Sequence, residues 1–146
     1  MKKLLQFCRN IWAFKKALWH FRWWDYCFIL EMLETSLKIM EKGFREKGIE
    51  EETSRALKVE KINRARTILK NIQEDNYVDM VEPELGKIIP RGWILEEPDN
   101  SKIEEREHNS KILKRAWEIE KAEWNELWTI FSGKAGEGSD MRGWWD

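Results

Sequence analysis

The sequence predicts an all-α protein: a small bundle of about four helices, broken by an irregular Pro/Gly-rich insertion at 77–100 and followed by a flexible C-terminal tail. Three observations lead there. Long segments space their apolar residues three and four positions apart, the period of a helix with one buried face. Cap and stop residues bracket those segments, Asp25 and Ser101 at starts, Gly48 and Gly133 at ends. All three prolines, Pro83, Pro90 and Pro98, fall in one stretch before the last helix. The length fits a single domain, 1–146, able to bury a core without staples.

Residues 3–21 form the first predicted helix. Leu4, Leu5, Cys8, Ile11, Trp12, Leu18 and Trp19 recur at helical spacing, and Phe7, Phe14 and Phe21 widen the stripe. Lys2, Arg9, Lys16 and His20 fall on the other side. One neighbour does not cover so wide an apolar face, so this helix is either central or docked on a second chain or a membrane surface. Asp25 resets the pattern as an N-cap, and its carboxylate suits the positive end of the helix dipole. The second helix runs over 26–47, with Ile29, Met32, Leu33, Leu37, Met40 and Phe44 as its buried seam. Glu34–Lys38 and Glu41–Arg45 supply i,i+4 pairs on its wet side. A third helix, about 50–74, carries a narrower seam of Ile62, Ala65, Leu69 and Ile72 and ends at Asp75-Asn76.

Between 77 and 100 the prolines, with Gly86 and Gly92, exclude a continuous helix. Tyr77–Val81 and Lys87–Ile89 read as short extended pieces, and Arg91-Gly92-Trp93 as the tip of a lid or a subunit contact. Ser101-Lys102-Ile103-Glu104 matches a capping box and starts a helix to about Phe131, with Leu113, Trp117, Trp124, Leu127, Trp128 and Phe131 along one side. Residues 132–141 are a glycine-bearing linker. They lead to a tail, 142–146, expected to dock because an exposed Trp-Trp pair invites aggregation.

Charge and composition narrow the function. Before Asp25 stand six cations (Lys2, Lys3, Arg9, Lys15, Lys16, Arg22) and no acid; with the chain at −1 overall, the remainder carries −7. A basic leader on an acidic body suits an anionic partner, or a complement within or between subunits. Cys8 and Cys27 sit among apolar residues, give no disulfide framework and read as two free core thiols of a reducing compartment. Lys15 and Lys16 interrupt what a secretory signal would need, and no uncharged stretch spans a bilayer. The expected location is cytoplasmic.

Catalytic signatures are missing from the sequence. Glu105 and His108 have the Glu-x-x-His spacing of di-metal bundles, but the required second copy is absent, since Ala17 stands where His20 would need a Glu. Cys8, His20 and Cys27 lack zinc-site spacing. There is no nucleophile elbow and no phosphate-cradling glycine loop. The chain therefore reads as a non-enzyme without cofactor or metal. A sequence pI of about 6.2 argues against a surface for extended nucleic acid.

The richest stretch is Trp19-His20-Phe21-Arg22-Trp23-Trp24-Asp25-Tyr26, echoed by Arg142-Gly143-Trp144-Trp145-Asp146. Lys15, Arg22 or Arg142 would meet phosphates, Trp19, Trp23, Trp24, Tyr26, Trp144 or Trp145 would stack on a base, and Asp25 or Asp146 would accept hydroxyls. The alternative is a helix corner whose aromatics are ordinary core, with Arg22 and Asp25 as a local ion pair.

The same residues carry a resemblance. A Trp-rich basic first helix, the segment DYCFILEMLETSLKIMEKGF from Asp25, EDNY at Glu74–Tyr77 and a terminal WWD resemble a family of small tailed-phage proteins. The likeness covers the first half and the extreme C-terminus; residues 77–140 depart from it. It implies a phage accessory protein, a class that includes helical oligomers sequestering host signalling nucleotides. The leading expectation is thus a non-catalytic homo-oligomer holding a small anionic, nucleotide-type ligand, in the host cytoplasm if the chain is viral. A protein-interaction module for a host or virion protein is the first alternative. A membrane-surface protein, lying on lipid through its basic helix, ranks behind both.

Overall fold

A computed structural model describes residues 2–22, 25–47, 52–90 and 103–133. These form five helices and, among the described residues, no strand: α1 (Lys2–Trp19), α2 (Cys27–Lys47), α3 (Glu52–Glu74), α4 (Tyr77–Leu85) and α5 (Ile103–Ser132). The fold is a small all-α bundle, as the apolar periodicity predicts. The tail at 142–146, the linker after Gly133, the tip at Arg91–Trp93, Gly48 and the Ser101–Lys102 part of the capping box lie outside the described residues.

α3 is the spine, packed between α2 and α5. It buries Val59, Ile62, Ala65, Ile68, Leu69 and Ile72, so its predicted seam stands with two additions. Facing it are Leu30, Leu37 and Phe44 from α2 and Ile112, Ala116 and Leu127 from α5. The core is thus almost wholly aliphatic. Arg66 ties the outer edge of α2 to α3, with Nη2 3.0 Å from Glu34 and Nη1 2.6 Å from Glu41. Glu41 also takes Arg45 at 2.9 Å, as its i,i+4 spacing predicts. Burial works to raise the Glu41 carboxyl, but the two guanidiniums hold it below its ordinary value.

Three expectations need correction. Tyr77–Val81 is helical, not extended: α4 runs on to Leu85 with Pro83 inside it. Tyr77 and Val81, at i and i+4, both bury toward α5, and that packing overrides the weak local propensity. Pro83 sits only two residues from the helix end, so few hydrogen bonds are lost to it, and Gly86 N–H closes the turn on the Glu82 carbonyl at 2.8 Å. Gly86 does so at φ 83°, a conformation that favours glycine.

The second correction concerns α2, where Leu30 rather than Ile29 enters the core and Ile29 stays exposed. The third concerns α5. Its buried face is Asn109, Ile112, Ala116, Glu123 and Leu127, while Leu113, Trp117, Trp124 and Trp128 are exposed. Two polar residues on the inward face explain the misreading, because apolarity alone assigns the core face to the tryptophans.

Both inward polar residues are satisfied. Asn109 clamps the chain after α4, its Oδ1 accepting from Ile89 N–H and its Nδ2 donating to the Ile89 carbonyl, each at 2.9 Å. His108 Nε2 lies 3.1 Å from the Lys87 carbonyl oxygen beside it. Lys87–Ile89 is therefore a non-helical strip held by side chains. Glu123 accepts from Tyr77 O–H at 3.1 Å, from Asn71 Nδ2 at 3.0 and 3.1 Å, and from Arg64 Nη2 at 3.3 Å. One carboxylate thereby joins α3, α4 and α5. Burial and the adjacent Glu123 both push the Tyr77 phenol upward, so it stays a donor at any ordinary pH.

Candidate functional site

The predicted corner lies where α1 gives way to α2. α1 ends loosely, with His20 N–H on the Lys16 carbonyl at 3.1 Å and Phe21 N–H on the Leu18 carbonyl at 3.4 Å. The chain turns back through Asp25 N–H to the Arg22 carbonyl at 2.9 Å. The Asp25 carboxylate then accepts from Cys27 N–H at 2.9 Å, the bond expected of an N-cap. That hydrogen bond lowers the Asp25 pKa, so the charged cap stabilises α2 above the carboxylate range and is lost as pH falls below it. Phe21 sets its ring edge-to-face on Phe28 at 4.6 Å, fixing the corner.

Four of the five described ligand residues there stand open to solvent. Trp19 is 87% exposed, and Arg22, Tyr26 and Lys15 are exposed too. Lys15 Nζ rests on the Trp12 ring, 3.7 Å from its centroid, and so faces away from the corner. Asp25 spends one oxygen on the cap. None of these five residues lines any of three cavities bounded by described residues, between α2 and α3, near Arg55, and near Trp117. Trp23, Trp24, Arg142, Trp144, Trp145 and Asp146 lie outside the described residues. The reading of the corner tryptophans as core also loses ground at Tyr26, which the core does not contain.

The largest of these three, about 950 Å³, is an open groove between α2 and α3. Lys16, Lys38, Lys42, Arg66 and Lys70 line it, and four of the five already have a carboxylate: Glu31 at 3.2 Å from Lys16, Glu46 at 3.7 Å from Lys42, Glu74 at 3.7 Å from Lys70, and the Glu34/Glu41 pair on Arg66. Cations already paired in this way offer an anion little net attraction.

What the structure presents instead is the face of α1. The helix buries only Ala17 and is held to α2 through that residue, Phe21 and the Lys16–Glu31 pair. Leu4, Leu5, Phe7, Ile11, Trp12 and Leu18 stand exposed with Trp19. A soluble monomer rarely leaves more than a few hundred Å² of contiguous apolar surface open, and seven large side chains on one short helix exceed that. The helix is therefore not central, which was one of the two options its wide stripe left.

The stripe has a further order that reading by segment passes over. Leu4, Ile11 and Leu18 are seven apart; so are Leu5, Trp12 and Trp19, and Phe7, Phe14 and Phe21. Three columns on a seven-residue period are the pattern of one helix packing along another. The signal was present in the sequence, but it emerges only once the helix is known to turn the first two columns outward, the third leaning on α2 through Phe21.

No protein-family model, curated protein or solved structure matches the chain.

Proposed function

We propose that the protein is a non-catalytic interaction module that docks α1 against a helical surface of a partner protein. The observation that carries this reading is the orientation of α1: its small Ala17 faces the body, while Leu4, Ile11 and Leu18 and the column of Leu5, Trp12 and Trp19 face out. The cations of the leader, with no acid among them, flank those columns, so the partner groove is apolar with an acidic rim. A host or virion protein is the source implied by the likeness to tailed-phage proteins. A lipid surface asks only for a broad apolar face; the seven-residue columns favour a helix over a bilayer.

Trp12→Glu and Trp19→Glu together test it. Both residues are highly exposed, so the helical circular dichroism and melting of the doubly substituted chain should match the parent. Binding to the partner isolated by cross-linking at Cys8 should fall about thirtyfold or more, as expected when two aromatic anchors are removed. An unchanged affinity overturns the reading. So does tight flotation with anionic vesicles, or calorimetric heat from a cyclic dinucleotide, in the absence of any protein partner that needs these two tryptophans.

A further inference from the structure

One cation of α1 stands inside its outward face rather than beside it. Lys2, Arg9 and Lys16 keep to one edge of the helix, but Lys15 does not. At roughly 100° per residue, Leu4, Ile11 and Leu18 lie about 20–60° to one side of Lys15, and Trp19, Trp12 and Leu5 about 40–80° to the other. Its neighbours one turn away are Ile11, Trp12, Leu18 and Trp19, and all four are exposed. Any surface that covers the stripe therefore covers Lys15. Its Nζ sits 3.7 Å from the centroid of the Trp12 ring, over the stripe and not at the cationic edge. α1 contains no Asp or Glu, and no described carboxylate pairs with Lys15.

We infer that α1 selects a partner helix carrying a carboxylate within its own apolar contact stripe, placed to receive Lys15. This rests on the docking of α1 proposed above and states the partner's chemistry at the middle of the interface, where the cations of the edge say nothing. An ammonium taken out of water without a counter-charge is costly. The indole face supplies part of the compensation, but a ring leaves the three N–H donors without acceptors. A carboxylate supplies both the charge and the acceptors.

The same position sets the register. Cys8, seven residues earlier, is ringed in the same way by Leu4, Leu5, Ile11 and Trp12, all exposed. The partner stripe is thus apolar opposite Cys8 and acidic opposite Lys15, about 10 Å further along the axis. A slip by one heptad would bring the carboxylate against Cys8 and leave Lys15 buried unpaired. A single polar position in an apolar helix seam fixes alignment in this manner, at some cost in affinity. Lys15 is therefore the specificity-determining residue of the face. It also counts against a lipid occupant, because a bilayer interior holds no carboxylate for a cation at the centre of the stripe.

The test titrates the full chain with synthetic four-heptad helical peptides that share a leucine seam and acidic flanks and differ at one central seam position, Glu, Gln or Leu. The parent should bind the Glu peptide about tenfold or more tighter than the Gln peptide. Lys15→Met, a change at an exposed position that should leave helical circular dichroism and melting unaltered, should lose that preference and bind the Leu peptide best. Lys15→Glu should instead prefer a fourth peptide with Lys at the central position. A parent indifferent to Glu and Gln, or a Lys15→Met chain that keeps the preference, overturns this inference and leaves the docking of α1 standing. Binding of none of the peptides overturns both, as does flotation with phosphatidylserine/phosphatidylcholine vesicles that improves in Lys15→Met.

Discussion

Glu123→Ala is expected to destabilise the protein by about 3 kcal/mol, read as a lower denaturant midpoint at unchanged slope. The carboxylate is buried and receives donors from three residues on two other helices. Its removal strands Asn71 and Tyr77, whose donors have lost their acceptor, and opens a small void. Arg64 is spared, since it keeps Glu126 at 2.6 Å. Glu123→Gln should cost less, roughly 1–2 kcal/mol, because one oxygen still accepts while the new amide faces the Asn71 donor. Equal losses in the two variants would mean that charge, not hydrogen bonding, carries the site.

Leu69→Ala should cost a similar or larger amount, roughly 2–5 kcal/mol, since this fully buried side chain lies on the inner face of the spine helix. The instructive comparison is Trp128→Ala. Tryptophan is the larger residue and would ordinarily be the more damaging loss, yet at its exposed position the expected change is within about 0.5 kcal/mol. A ranking in the opposite order would place the tryptophans of α5 inside the core and undo the account of that helix.

How much of this was legible without coordinates follows from the same residues. The apolar period fixed α2 and α3 almost to their ends, because a seam such as Ile62, Ala65, Leu69 and Ile72 has one consistent direction. Asp25 as a cap was legible for the same local reason. α5 was legible as a helix but not in its orientation. Its core face carries Asn109 and Glu123, each satisfied only by partners distant in sequence, Ile89 in one case and Asn71 and Tyr77 in the other. α4 was hidden by Pro83, whose penalty is local while the burial that offsets it is tertiary. The Arg/Trp/Asp corner was legible as chemistry, but its described members do not converge: Asp25 turns to its own helix and Lys15 to Trp12.

The sequence also left open whether the broad stripe of α1 points in or out. That orientation is the central claim, and Cys8 reports on it because it lies among the outward columns and is exposed, whereas Cys27 is half-buried. The hydrogen bond to Asp25 raises the Cys27 thiol pKa further, leaving it less thiolate to react. In the folded, purified protein at neutral pH, alkylation should modify Cys8 about tenfold or more faster than Cys27, and partner binding should abolish the difference. Equal protection of both thiols in the free protein would mean that the face of α1 packs on its own body, and the docking account would fail.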